Sequence, residues 1–398
     1  MSLPEISPQE VEAKDSAYIL GTYARTSFHP RRGKGAQLID ADGKVYWDLL
    51  AGIAVNALGY AHPRLVRAMK EEASKLYHVS NLYYQPAQVL LAEKLITASG
   101  MAKVFFCNSG TEAIEASLKF ARLATPGRHG VVSFTGSFHG RTFGALSMTG
   151  NEGYRAPFEP LVPGTFFIPP NDIAALDAAV NETTSAIVME PIQGEGGIVP
   201  FSDDFLKAAR AAADRVGAAL ILDEIQSGLG RTGSLFVFKQ KGIVPDMVTL
   251  AKPLGGGLPL GAVLVTERIA ALLKPGLHGT TFGGNPVACR LGLELLSELE
   301  EKDYPAKVAA LGAWFERRLK RLKKVAPGIV DVRGTGLIWG IELDREAAPI
   351  AKALLAKGFV VGTARKNVLR LLPPYVVPKK ALAAFVDALE VTLKEEVK

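Results

Sequence analysis

Sulfur and imidazole are scarce in this sequence. Two cysteines, Cys107 and Cys289, and six histidines stand among 398 residues. Two distant cysteines cannot form a disulfide framework, and no Cys-x-x-Cys or clustered His spacing offers a metal site. Cys107 follows an apolar strand-like run and Cys289 lies in an apolar helix-like stretch, so both read as small buried hydrophobes. No apolar run approaches the ~20 residues needed to cross a bilayer, so no membrane partner is expected. Met1 to Tyr18 mixes Pro, Glu, Lys and Asp without an apolar block, which excludes an ordinary secretory signal. Low-complexity segments are also missing. With 48% apolar and 22% charged residues, disorder is expected only at the ends. The chain reads as soluble and cytoplasmic.

The charge balance is mildly basic, at +6. Arg31, Arg32 and Lys34 form one cluster; Arg317, Arg318, Lys320, Arg321, Lys323 and Lys324 form another around Leu319 and Leu322. Helical spacing makes the second a solvated helix face. Nucleic-acid binding would call for interleaved aromatics or a reading module, and neither is present. A positive field does favour small anionic substrates.

From about residue 100, short apolar runs alternate with longer amphipathic ones, the pattern of βαβ units and a mostly parallel sheet. The runs predict strands at Lys103–Cys107, Gly130–Ser133, Thr165–Ile168, Ser185–Met189, Ala219–Leu222, Met247–Leu250 and Gly261–Val265. Helices are predicted at Thr111–Arg122, Asp203–Val216 and Asn285–Leu299. Beyond residue 302 the texture changes to helices flanking strands at Ile329–Arg333, Leu337–Leu343 and Val368–Leu371, a smaller α+β domain. Gln37–Ile39 and Val45–Asp48 around Asp40-Ala41-Asp42-Gly43 give a hairpin signal. The expected division is 1–55 joining the small domain, 56–285 as the large domain, and 286–398 as linking helix and small domain.

Four signals fall at strand ends, where an open α/β sheet places its ligand crevice. Ser109-Gly110-Thr111-Glu112 opens a helix directly after a strand. It reads either as a capping box or as an anion cradle of free N–H groups and hydroxyls. Asp223 ends an apolar strand, and a carboxylate there needs a partner. A cap or an arginine would serve, as would a protonated pyridine nitrogen, with Gln226 donating to the ring hydroxyl. Lys252 ends another apolar strand and precedes Gly255-Gly256-Gly257. Against a snorkelling surface lysine stands a reactive amine of lowered pKa, suited to a Schiff base. Phe138-His139-Gly140-Arg141 sets an aromatic beside an arginine, a pairing for ring stacking and carboxylate binding.

With Glu190-Pro191-Ile192-Gln193-Gly194-Glu195 and His278-Gly279-Thr280-Thr281-Phe282-Gly283-Gly284-Asn285-Pro286, these motifs resemble the class III pyridoxal-phosphate aminotransferases. Within them, the sequence is most similar to the acetylornithine aminotransferases of arginine biosynthesis, from about Tyr18 to Val391. The resemblance implies a fold-type I transferase and a homodimer with shared active sites. Lys252 would hold pyridoxal 5'-phosphate and shuttle the proton. Asp223 would meet the pyridine nitrogen, Gln226 the ring oxygen, and Phe138 the ring face. Gly110 and Thr111 would bind the phosphate with Thr281 of a second copy, whose Thr280 would touch the substrate. Arg141, with Tyr23, would take the donor's α-carboxylate. Glu195 and Arg370 would form an ion pair that opens for 2-oxoglutarate, the alternative being a permanent salt bridge. Glu190 would be a polar wall residue.

The expected reaction moves the δ-amino group of N2-acetyl-L-ornithine to 2-oxoglutarate, giving N-acetylglutamate 5-semialdehyde and glutamate. Gly52 stands where enzymes resembling ornithine aminotransferase tend to carry Tyr, which leaves room for an acylated α-amine. Discrimination over one small group is only ~1–3 kcal/mol, so ornithine, succinyl-diaminopimelate and a carrier-bound lysine precursor remain alternatives. Two other classes are an aminomutase of the glutamate-1-semialdehyde type, which needs no 2-oxoglutarate, and a non-catalytic pyridoxal-binding protein. The intact Lys252, Arg141, Thr280 and Arg370 argue against the second.

Overall fold

The structure, a computed structural model, describes residues 6–395. Residues 1–5 and 396–398, at the ends of the expected first and last domains, lie outside the described residues. Seven strands form the central sheet in the order 103–107, 261–265, 247–250, 219–223, 184–189, 130–134, 165–168. Only Gly261–Val265 runs antiparallel to its neighbours; every other adjacent pair is parallel. The five strands from 261–265 across to 130–134 are buried along their whole length. Their continuous apolar runs follow from helices covering both faces. One face packs Leu220, Leu222 and Val248 against helix Asp203–Val216, the other Ile221 and Met247 against helix Gly110–Ala124.

Helix Asp203–Val216 shows how local sequence sets an element. Ser202 Oγ accepts from Phe205 N at 3.1 Å, and Gly217 takes a left-handed φ of 68° to end the helix. Its buried face carries Phe205, Leu206, Ala209, Ala212, Ala213 and Val216. Burying Phe205 alone contributes on the order of 2 kcal/mol.

A second core gathers residues from both ends of the chain. An antiparallel sheet orders strands 329–335, 338–343, 368–371 and 362–364. Helices Tyr304–Val325, Ala347–Ala356 and Lys379–Glu395 pack with it. The expected hairpin forms, with Asp40 Oδ1 accepting from Asp42 N and Lys44 N at 3.0 and 2.9 Å. It is extended by Pro30–Lys34 on one side and, in parallel, by Phe359–Val360 on the other. The linking helix Pro286–Glu301 puts Ala288, Cys289 and Leu296 into the sheet core and Leu295 and Leu299 into the second. Both free thiols are buried, and burial pushes each up to about 12, which leaves them inert.

Candidate active site

The loops after the C-terminal ends of the parallel strands converge on one cavity of about 480 Å³. Strand 103–107 leads into Asn108–Thr111, strand 184–189 into Glu190 and Glu195, strand 219–223 into Asp223 and Gln226, and strand 247–250 into Lys252; all line the cavity. Phe138 and Arg141 come from the loop after strand 130–134. Nine of the expected site residues thus share one space.

Asp223 is buried at 4% exposure. Its Oδ2 lies 2.8 Å from His139 Nδ1, and its Oδ1 accepts from Ile225 N at 3.1 Å and from the Thr249 hydroxyl at 3.3 Å. Of the partners open to Asp223 in the sequence, the local cap is present at Ile225 N, and a buried histidine stands where an arginine could. His139 Nε2 has no partner among the described residues. Lys252 takes a left-handed φ of 40°, a backbone cost that a non-glycine residue bears only where its surroundings impose it. Burial holds its amine below the ordinary lysine range, while Asp223, Glu195 and Glu190 pull it back and Arg370 adds to the lowering. No hydrogen bond or ion pair engages the Lys252 amine among the described residues.

The helix opening at Gly110 departs from a capping box. Ser109 Oγ accepts from Glu112 N at 3.3 Å, but the Glu112 carboxylate reaches one residue further back, to Asn108 N at 2.6 Å. A Cβ on Gly110 would come within 2.7 Å of Ile225 Cδ1, and one on Gly140 within 2.2 Å of Thr111 Oγ1. Glycine keeps this turn tight against its neighbours.

Glu190 is fully enclosed and joins two walls. Its Oε1 accepts from Phe138 N at 3.0 Å and its Oε2 from Gly194 N at 2.8 Å. Burial pushes it up to about 7, with the Asp223 charge adding to the rise and His139 opposing it. Arg370 is buried and pairs through Nη1 with Glu195 Oε1 at the cavity edge. Arg370 itself is not part of the lining, nor are Thr280, Thr281 and Tyr23. Thr280 Oγ1 accepts from Asn108 Nδ2 at 3.2 Å on the outer side, Thr281 is exposed, and Tyr23 is 73% exposed. Gly52 also lies off the cavity, in a left-handed φ of 60°, and Val55 contributes the wall there.

Sequence reasoning passed over His139, although it sits inside the Phe138–Thr142 motif. The available signal was a histidine between an aromatic and a glycine at a strand-end loop.

A lysine and a carboxylate at neighbouring strand ends, beside a helix N-terminus, on a mostly parallel seven-stranded sheet with a second α+β core, define fold-type I of the pyridoxal-phosphate transferases. The profile of the Aminotransferase class-III family matches residues 21–393, and the chain belongs to that family; it is an aminotransferase. The acetylornithine aminotransferase of Methanocaldococcus jannaschii is 45% identical over 386 residues, covering 96% of this chain and 97% of the relative. The mitochondrial acetylornithine aminotransferase of Alnus glutinosa is 45% identical over 384 residues, covering 94% and 85%. Among solved structures, the ornithine aminotransferase of Toxoplasma gondii superposes with a TM-score of 0.94 at 31% identity, covering 99% and 97% of the two chains. The acetylornithine aminotransferase of Elizabethkingia anophelis superposes at 0.88 with 30% identity, covering 98% and 99%.

Proposed function

We propose that this aminotransferase uses pyridoxal 5'-phosphate to move the δ-amino group of N2-acetyl-L-ornithine to 2-oxoglutarate. One observation carries the chemistry: the Lys252 amine, without a protein partner, shares a cavity with buried Asp223 and a helix N-terminus. The relatives named above carry the substrate.

The residues fit the cofactor. Gln226 Oε1 and His139 Nε2 are buried without partners on the cavity wall, and Gly110 with Thr111 offers a tight cradle at the start of a 15-residue helix. Gly110 and Thr111 would take the phosphate, Asp223 the ring nitrogen, Gln226 the ring oxygen, Phe138 the ring face, and Lys252 the aldehyde carbon. When bound, the cofactor supplies an electron sink for the bond broken beside the transferred nitrogen. Lys252, its pKa lowered by burial, would carry the proton from the donor's carbon. Arg141, with Tyr23, would hold the donor's α-carboxylate. Glu195 would keep Arg370 neutralised until 2-oxoglutarate arrives, whose α-carboxylate would replace it. Glu190 would set the spacing of the Phe138 and Gly194 walls.

A second copy of the chain would complete the site with Thr280 and Thr281. The surface supports this: consecutive Leu82, Tyr83 and Tyr84 are 84%, 66% and 98% exposed, an apolar run that a second copy would cover. We read the division at 1–55, 56–285 and 286–398 as the domain boundaries. No described helix is long and apolar enough to cross a membrane, and the two free thiols accord with a reducing cytoplasm.

A second reading, ornithine as donor, is favoured by the TM-score of 0.94 to an ornithine aminotransferase. The test is a half-reaction: cofactor-loaded protein without 2-oxoglutarate, its visible absorbance followed as each donor is added. Faster bleaching with N-acetylornithine is expected. Faster bleaching with ornithine selects the second reading, and none with either donor overturns both.

A further inference from the structure

Arg141 is a cavity-lining cation that makes no hydrogen bond or ion pair among the described residues. Two aromatic rings hold it instead. Its guanidinium carbon lies 3.9 Å from the ring centre of Tyr154 and 5.6 Å from that of Phe138. The two rings meet edge to face, with centroids 6.2 Å apart and planes at 86°. A guanidinium held over a ring, with no hydrogen-bonding partner, keeps N–H groups free for a planar anion.

The turn that carries Tyr154 is held on both sides. It is the single turn Glu152–Arg155, where Asn151 Oδ1 accepts from Gly153 N at 3.0 Å and Asn151 O from Tyr154 N at 3.1 Å. Next to it, Arg155 Nη1 donates to Thr149 O at 2.6 Å and the Arg155 guanidinium lies 4.1 Å over the Phe167 ring. The turn is therefore held in place, and the ring itself packs edge to face on Phe138. A free arginine side chain samples many rotamers, and stacking removes that freedom before the ligand arrives.

We propose that Tyr154 is a positioning residue for carboxylate recognition: its ring orients the guanidinium of Arg141 and so makes the enzyme selective for ω-amino donors that carry an α-carboxylate. The inference rests on the reading of Arg141 given above. The ring face does this work, and the phenolic hydroxyl, which makes no hydrogen bond among the described residues, does not.

The test compares N-acetylornithine with N-acetylputrescine, the same chain without the carboxylate, on the holoenzyme. The quantity read is the ratio of kcat/KM for the two donors in the parent, Tyr154→Leu, Tyr154→Met and Tyr154→Phe. Tyr154 is half-buried on a surface turn, and either aliphatic variant serves if the other folds poorly. We expect the ratio to fall about tenfold (about 1.4 kcal/mol) in the aliphatic variants, through a raised KM for N-acetylornithine, and to return in Tyr154→Phe. A purely structural role would depress both donors equally, and that result overturns the proposal, as does an unchanged ratio. A parent enzyme that does not prefer N-acetylornithine removes the reading of Arg141 and the proposal with it, whereas a parent preference kept in Tyr154→Leu removes the proposal alone.

Discussion

Replacing Arg231 by methionine should destabilise the junction of the two cores in a pH-dependent way. Arg231 is fully buried, and its Nη1 donates to Leu337 O at 3.1 Å and to Pro373 O. Its guanidinium lies 4.6 Å from the ring centre of Tyr375, whose hydroxyl donates to Leu229 O at 2.9 Å. Losing two charge-assisted bonds would cost about 3–6 kcal/mol, less the relief of a buried cation whose Nε and Nη2 have no partner. The net loss should be about 3 kcal/mol, at the lower end of what breaking a buried charge contact costs. Asp48 supplies the pH dependence. Burial raises its pKa, while Tyr60, two backbone N–H groups and the Arg231 charge pull it down. Without Arg231 the folded pKa rises further above the unfolded value of about 4. A raised carboxyl pKa removes stability as pH climbs from the unfolded to the folded pKa, so the variant's deficit should be larger at pH 8 than at pH 5. Urea unfolding at both values measures it. A deficit below about 1 kcal/mol, or one identical at the two pH values, refutes the argument. Because Pro373 lies three residues beyond Arg370, KM for 2-oxoglutarate should rise while cofactor affinity holds.

Two further outcomes follow from the cavity. Glu195→Ala should lower the preference for N-acetylornithine over glutamate as donor, because Arg370 is then open to glutamate from the start; unchanged relative kcat/KM for the two donors would sink the gating idea. As pH falls through about 7, Glu190 takes up a proton and weakens its hold on Phe138 N and Gly194 N. The rate profile should therefore show an acid limb near that pH which Glu190→Gln removes, and a limb that survives the substitution belongs to another group.

Where the sequence carried its own boundaries, it was legible. Strands 103–107, 165–168, 247–250, 261–265 and 368–371 and helix 203–216 lie where the apolar runs and their flanking Ser, Gly and Pro put them. Strands 30–34, 359–360 and 362–364 were not legible, since Pro30-Arg31-Arg32-Gly33-Lys34 has no apolar alternation. Pairing with Gln37–Asp40 makes it a strand, and pairing is context rather than propensity. The reversed direction of Gly261–Val265 was hidden for the same reason. At the site, Asp223 and Lys252 were legible because each lies at or within two residues of the end of an apolar run that forms a strand. His139 meets Asp223 across 84 positions and Glu195 meets Arg370 across 175, so neither partnership has a local signature; the second was reached only through the resemblance.

That division separates chemistry from selectivity. Lys252, Asp223 and the turn at Gly110 all follow strand ends of one sheet, so their mutual geometry is set by a rigid scaffold. The groups that would choose the substrate are held differently. Arg370 stands on an antiparallel strand paired at Gly340, in the second core, and Arg141 is exposed and rests on a ring from a single helical turn. A change in packing between the cores moves Arg370 relative to Lys252 without disturbing Asp223, and a change at residue 154 moves Arg141 without disturbing either. Substitutions far from the cavity but on those supports should therefore alter KM ratios between donors and acceptors before they alter the rate of the proton transfer proposed for Lys252.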